Sequence, residues 1–273
     1  KAVIKVDNPS WTFIVDKFNL PIIYDCIDDH EAFETNPDNI QSSEANLIQK
    51  SDAVVIVSRG IAEKINRYKH PNSYVIENAG EYDHFAQASK NTIPIPNDLK
   101  SINSPILGYC GAISEWFDVK LLESIAKTFP SYNIVLIGSP DNSKVMELSQ
   151  KYPNIRLLGE KKYQLLPQYY QRFNIYLIPF LINEVTKSLN PVKIYEYLAT
   201  GKPVVTTNIP GLNQFNDFIY MSKNSEQFIQ NIKKALLEKN TQLSLKRQQF
   251  AKENSWEKRT RQFESVINNI LKS

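Results

Sequence analysis

Ten short, almost uninterrupted apolar runs, separated by polar or helix-patterned stretches, constrain this chain more than any other feature. The first four are VIKV (3–6), PIIYDCI (21–27), DAVVIVS (52–58) and SYVIEN (73–78). Six more follow: PILGYCG (105–111), NIVLIG (133–138), NIRLLG (154–159), NIYLIPF (174–180), PVVTT (203–207) and FIYMS (218–222). Runs lacking polar alternation fit strands covered on both faces. Their alternation with helical patterns predicts parallel α/β sheets.

The two series are separated by AQASKNTIPIPNDLKSINSP (86–105), rich in proline and small polar residues. That composition predicts a linker over 89–104. The expected organisation is then a first domain over 1–88, a second over 105–254, and a last helix over 255–273. That helix carries Trp256, Phe263, Val266, Ile267 and Ile270 on one stripe, which suits packing across the domains. Four strands in about 85 residues are few for a doubly wound domain. With a first residue of Lys1 rather than methionine, the chain reads as N-terminally incomplete.

Composition narrows the function classes. The chain has 273 residues, 42% hydrophobic and 22% charged, which are globular values. A net charge of +3 makes no nucleic-acid footprint. Cys26 and Cys110 sit in apolar runs and read as buried reduced thiols of a cytoplasmic protein. No apolar run approaches the roughly 18 residues of a membrane-spanning helix.

The segment NPVKIYEYLATGKPVV, from Asn190 to Val205, is the most informative for chemistry. Asn190 suits an N-cap and Pro191 the first helical position. Gly201 and Pro203 mark the stop, and Val204 and Val205 open a strand. Ile194, Tyr197 and Leu198 form the expected buried stripe. Lys193 and Glu196, three apart, lie near the N-terminal end. Free N–H groups, the helix dipole and a lysine suit a phosphate. A carboxylate one turn further in suits sugar hydroxyls. The alternative is an ordinary capped helix with a surface Lys–Glu pair. The dinucleotide fingerprint GxGxxG is absent, which argues against a nicotinamide dehydrogenase.

Several segments, in order, resemble the family-4 (group 1) retaining glycosyltransferases of GT-B fold. DAVVIVSRGIAEKI (52–65) is similar to their strand–Ser–helix unit. In VIENAGEYDHF (75–85), Asn78, Gly80, Asp83 and Phe85 match an "NG-D-F" turn. GYCGAISEWFDVKLL (108–122) is similar to the opening strand and phosphate loop of the second domain. The 154–180 stretch is similar to the one that reads the nucleobase. Residues 190–205 match "P-x-K-x-x-E-Y-L-A-x-G-x-P-V-V", and SWEKRTRQFESVI resembles the closing helix.

The resemblance implies two Rossmann-like parallel-sheet domains, the first incomplete. It also implies metal-independent transfer of a sugar from a nucleoside diphosphate to a hydroxyl, with configuration retained. By position, Lys193 and Glu196 would be catalytic. Lys193 and the N–H groups at Val192 and Lys193 would hold the diphosphate and Glu196 the ribose, with Asn190 and Pro191 also in the nucleotide-sugar site. Gly111, Ala112 and Gly138 would belong to the same nucleotide-sugar site, where Gly111 with Gly108 keeps the backbone bare for a ligand. Gly159, Glu160 and Tyr163 would read the base, and Pro179 and Phe180 would lead to a loop touching the donor sugar. A UDP-linked sugar is the favoured donor, as substrate and without a cofactor. A carbohydrate or lipid-linked acceptor in cell-surface polysaccharide synthesis follows, with peripheral contact at the inner face of the membrane. The helix would face a groove between the domains.

Three departures stand out. Relatives carry a glutamate eight residues before Glu196, where this chain has Ser188; Glu184 is a displaced candidate. An Arg and a Lys after the glycine matching Gly111 are missing, so Lys193 must supply more charge, with Lys187 or Arg59. A first-domain histidine falls where Ile27 and Asp28 stand, which makes Asp28 a candidate for a donor or acceptor hydroxyl. The run Asp28, Asp29, His30, Glu31 could suggest a metal, but the histidines 30, 70 and 84 form no ligand spacing. Competing readings are a nucleotide-sugar-binding fragment or non-catalytic partner, and an epimerase of the same fold, which would need acid–base groups.

Overall fold

The computed structural model describes residues 2–33, 35–90 and 92–272. Lys1 and Glu34 in the predicted first domain, Asn91 in the predicted linker, and Ser273 in the predicted last helix lie outside the described residues. The chain forms two compact units. One comprises Lys1–Asn78, Lys187–Asn190 and Trp256–Ser273; the other comprises Ala79–Thr186 and Pro191–Ser255.

The first unit holds a four-stranded parallel sheet: β1 (Ile4–Val6), β2 (Ile22–Cys26), β3 (Ala53–Ile56) and β4 (Ser73–Val75), in that spatial order. Register follows Ile4↔Ile22, Ile23↔Ala53 and Val54↔Ser73. The period of two sorts side chains onto the faces. Tyr24, Cys26, Val54 and Ile56 pack with Leu47, Ile48, Ile61 and Ile65 from the helices Ile40–Lys50 and Arg59–Ile65. Ile23, Ala53 and Val55 take the other face against Val266, with Phe263, Ile267 and Ile270 of the helix Trp256–Ile270 beside them. Trp256, placed on the same stripe from sequence, is 41% exposed.

The second unit holds β5 (Ile106–Cys110), β6 (Asn133–Ile137), β7 (Ile155–Leu157), β8 (Ile175–Ile178), β9 (Val204–Thr207) and β10 (Tyr220–Ser222). Their spatial order is β10-β9-β8-β5-β6-β7, all parallel. The chain runs outward from β5 to β7, then returns to β8 on the other side of β5. A crevice at the carboxyl ends of β5 and β8 is the consequence, since their connections leave in opposite directions. Gly108, in the middle of β5, lets Phe173 lie against the strand; a Cβ there would sit 1.9 Å from Phe173 Cδ2.

Each of the ten strands among the described residues falls inside its apolar run, and the runs for β2 to β8 overshoot at the carboxyl end. SYVIEN reaches Asn78, whereas β4 stops at Val75, with Ile76 N still donating to Ile56 O at 3.0 Å. Both cysteines are free thiols, Cys26 buried and Cys110 partly so. The proline-rich 89–104 segment is bound to the second unit: Leu99 is buried, and Gln171 Nε2 donates to Ile93 O and Pro94 O. Leu165, assigned to the core from the pattern of YQLLPQYYQRF, is 39% exposed because it sits in the 3-10 turn before the helix, where the helical period does not apply. Arg247 is fully buried in a bidentate pair with Glu238, Nη2 to Oε2 at 2.8 Å. Among the described residues no helix is long and apolar enough to cross a membrane.

Candidate functional site

The crevice of the second unit is floored by glycines. Gly111 and Gly138, each directly after a strand, adopt φ of +141°, a conformation that side-chain-bearing residues avoid. They also touch: a Cβ on Gly138 would lie 2.0 Å from Gly111 O. Backbone bonds tie the row together, Gly111 N to Ile137 O at 2.9 Å and Gly138 N to Gly159 O at 3.0 Å. Ala112 and Glu160 are exposed at the ends of this row.

The helix Val192–Ala199 opens on the same side. Its N-cap is Pro191 (φ −72°, ψ 126°), with no side-chain cap. This is one residue later than expected: Pro191 is the cap rather than the first helical residue, and the Asn190 side chain makes no capping bond. The first turn's N–H groups therefore lack a side-chain acceptor, which suits an anion. Burial extends beyond the expected stripe, covering Ile194 through Ala199 continuously. Tyr197 anchors the helix to β5, accepting from Cys110 N at 2.8 Å and donating to Cys110 O at 3.1 Å.

Lys193 reaches back over β5. Its Nζ donates to Tyr109 Oη at 2.8 Å and lies 4.5 Å from the Tyr109 ring centre and 5.0 Å from that of Phe180. A Cβ on Gly111 would stand 2.5 Å from Nζ, so glycine there makes room for the ammonium. Burial lowers the Lys193 pKa to about 8. Phenol and ring faces only partly replace the lost water. Tyr109 Oη in turn donates a hydrogen bond to Ala112 O at 2.7 Å, which fixes the loop after Gly111.

Glu196, 8% exposed, accepts from Tyr170 Oη at 3.0 Å. Burial raises its pKa to about 7, against the opposing effects of the Tyr170 bond and the Lys193 charge. Lys193 and Glu196 thus titrate around neutrality from opposite directions, a property concentrated at ligand-binding and catalytic sites. Tyr163, 37% exposed, stacks on His84 with ring centres 4.9 Å apart. Pro179 O receives Asp118 N at 2.8 Å, which directs Phe180 beneath Lys193.

The second unit therefore assembles Gly111, Ala112, Gly138, Gly159, Phe180, Pro191, Val192, Lys193 and Glu196 around one strand edge. Asp28, Arg59 and Asn190 belong to the first unit. There Asp28 is exposed, and Arg59 lies 3.7 Å from Glu77. The acidic run of 28–31 is dispersed by its partners: Asp29 pairs with Lys64, Glu31 with Arg67, and His30 Nε2 lies 3.2 Å from Asp7 O. Tyr109 and Tyr170 escaped the sequence reading. Tyr109 had a signal, because the strand period puts it on the same face as Gly111. Tyr170 had none, as its contact with Glu196 joins residues 26 apart.

Known proteins agree with this architecture. Residues 104–238 match the family model described as "Glycosyl transferases group 1". TuaH of Bacillus subtilis (strain 168), named as a teichuronic acid biosynthesis glycosyltransferase, is 25% identical over 207 residues. That match covers 71% of this chain and 52% of TuaH, so the chain spans about half the length of this curated relative. Sucrose-phosphate synthase from Thermosynechococcus elongatus superposes with a TM-score of 0.78 at 16% identity, over 98% of this chain and 73% of the other. Anabaena HepE in complex with UDP gives 0.76 at 16% identity, over 98% and 78%. At these identities the superpositions speak for the fold, which is that of the GT-B glycosyltransferases. With its glycine-floored crevice and its lysine–glutamate helix lying inside the matched segment, the chain belongs over residues 104–238 to the group 1 glycosyl transferases.

Proposed function

We propose that this chain is a retaining, metal-independent glycosyltransferase that moves a sugar from a nucleoside diphosphate, UDP favoured, to a hydroxyl acceptor in cell-surface polysaccharide synthesis. One observation carries the reading: a half-buried ammonium and the uncapped first turn of a helix meet at bare glycine backbone. In sugar transfer the departing diphosphate gathers negative charge, and preorganised donors in a poorly hydrated crevice stabilise it. Lys193 is such a donor, held in place by Tyr109 before any ligand arrives. It serves as the cation where the group 1 pattern would add an Arg and a Lys after Gly111. Glu196, fixed by Tyr170, is suited to accept two bonds from the ribose hydroxyls. Tyr163 and the backbone at Gly159 and Glu160 supply the surface for the base. The UDP preference is supported by the HepE complex, and the polysaccharide pathway by the name of TuaH.

Isothermal titration with UDP and GDP tests the binding half, and transfer from a panel of UDP-sugars to glycoside acceptors tests the chemistry. The expected result is UDP binding tighter than GDP, abolished in Lys193→Met. Absence of binding to either nucleotide at millimolar concentration refutes the reading.

A further inference from the structure

A second cavity of the second unit lies at the opposite edge of the six-stranded sheet from the crevice. It measures about 500 Å³, and Ser104, Arg172, Asn174 and Lys202 line it together with Ile93 and Ile95. Ser104 stands shortly before β5, Asn174 directly before β8 and Lys202 shortly before β9. The cavity is therefore at the amino ends of these strands, where the loops that form the crevice do not reach. No aspartate or glutamate is among the described residues that line it.

Two cations share this space without a counter-charge. Lys202 Nζ donates to Tyr170 O at 2.9 Å and to Gln171 O and Phe173 O at 2.7 Å each. It thereby closes the carbonyl end of the helix Leu166–Tyr170, a structural task. Three carbonyls replace the water around an ammonium but leave its charge in place. Arg172 has no task of that strength: its Nη2 donates to Ile102 O at 3.3 Å, and its Nε is buried without a partner. Among the described residues no carboxylate pairs with either cation. Burial, with the Arg172 charge adding to it, lowers the Lys202 pKa to about 7. Neutral donors complete the lining. Asn174 Oδ1 accepts from Ile106 N at 2.8 Å, whereas Asn174 Nδ2 and Ser104 Oγ are engaged by no described residue.

We propose that the cavity beside Arg172 and Lys202 binds an organic phosphate monoester of about monosaccharide size. At neutral pH such a group carries close to two negative charges and three strong acceptor oxygens. These match two cations and the free donors of Ser104 and Asn174. Lys202 contributes charge alone, since its protons are committed to the carbonyls. Arg172 contributes charge and the hydrogen bonds of a planar guanidinium, which suits phosphate. Size selects an organic ester over the bare anion: about 500 Å³ lies within the roughly 300–1,000 Å³ of small-molecule sites, and inorganic phosphate would leave most of it empty. Ile93 and Ile95 give the body of the ligand an apolar wall. The site is separate from Lys193 and Glu196 and holds whether or not the chain transfers sugar.

Titration calorimetry on the whole chain at pH 6.5, with glucose 6-phosphate, fructose 6-phosphate, inorganic phosphate and glucose, tests the proposal. Lys193→Met is titrated alongside, because the crevice has a cation of its own that suits a phosphate. At least one sugar phosphate should bind the wild type and Lys193→Met equally well and more tightly than inorganic phosphate, and glucose should not bind. Arg172→Gln should weaken that binding about tenfold. Asn174→Asp keeps an oxygen for Ile106 N while setting a negative charge in the cavity; it should weaken binding at least as much, and it removes no cation. Thermal unfolding checks that both variants are folded. Four results overturn the proposal: neither sugar phosphate binds the wild type at millimolar concentration; folded Arg172→Gln and Asn174→Asp bind as the wild type does; binding disappears in Lys193→Met, which assigns it to the crevice; or inorganic phosphate binds as tightly as the sugar phosphates.

Discussion

Replacing Lys193 by methionine should make the protein more stable while removing the nucleotide affinity proposed above. The ammonium is displaced by burial from an ordinary 10.5 to about 8, which corresponds to about 3 kcal/mol of unfavourable charge burial. That figure is an upper value, because part of the side chain reaches solvent. Methionine loses the Tyr109 bond and the two ring contacts, together about 1–2 kcal/mol, and keeps the volume. A net gain of about 1–2 kcal/mol remains, equivalent to a rise in Tm of roughly 2–8 °C for a chain of this size. The pH dependence distinguishes this cause from better packing. Between about 8 and 10.5 the unfolded chain keeps a proton on Lys193 that the folded chain has released. Wild-type stability therefore rises with pH across that window relative to Lys193→Met. Thermal unfolding of both proteins at pH 6.5, 7.5 and 9.5, with UDP titration alongside, measures the effect. The gap should be full at the two lower values and narrowed at 9.5. A less stable variant at pH 7.5, or a gap indifferent to pH, refutes the reasoning.

Glu196 titrates the opposite way. With its pKa raised from 4.5 to about 7, the folded state holds a proton between those values that the unfolded state lacks, so its contribution to stability falls as pH rises through them. Glu196→Gln should remove that fall, as read from unfolding at pH 5 and 7.5, and weaken UDP binding at pH 8 about tenfold. Tyr109→Phe takes away the acceptor that stabilises the Lys193 ammonium; the alkaline limb of UDP binding should move to lower pH, seen in titrations from pH 7 to 9. Gly108→Ala drives a methyl to 1.9 Å from Phe173; chemical denaturation should register at least about 1–3 kcal/mol of destabilisation.

Strands were the easiest part to read. Both faces of a parallel sheet are covered, so VIKV through FIYMS announce themselves as apolar runs without any partner being known. Their ends were less legible, because apolar residues such as Val57 and Ile76 continue to pack after the ladder stops. Within the crevice, Gly111 and the Lys193–Glu196 pair were visible for a local reason. Glycine after a strand and a helix opening at proline are features of consecutive residues.

Pairwise contacts between distant residues left no such mark. Tyr109 looked like one more apolar strand residue, and Tyr170 like packing in an aromatic helix, yet each fixes one member of the charged pair. Asn190 had the right chemistry for a helix cap, but folding puts its main chain against Asn78 and leaves the cap to Pro191. The departure at Ser188 was evident in the sequence, whereas Asp29, the carboxylate its hydroxyl bonds, lies 159 residues away. Periodicity and turn chemistry act through the local backbone, so they determine the elements and the glycine-bearing edges. Which side chains share a desolvated space depends on how those elements are brought together, and that alone decided the pKa values of Lys193 and Glu196 and the company kept by Ser188.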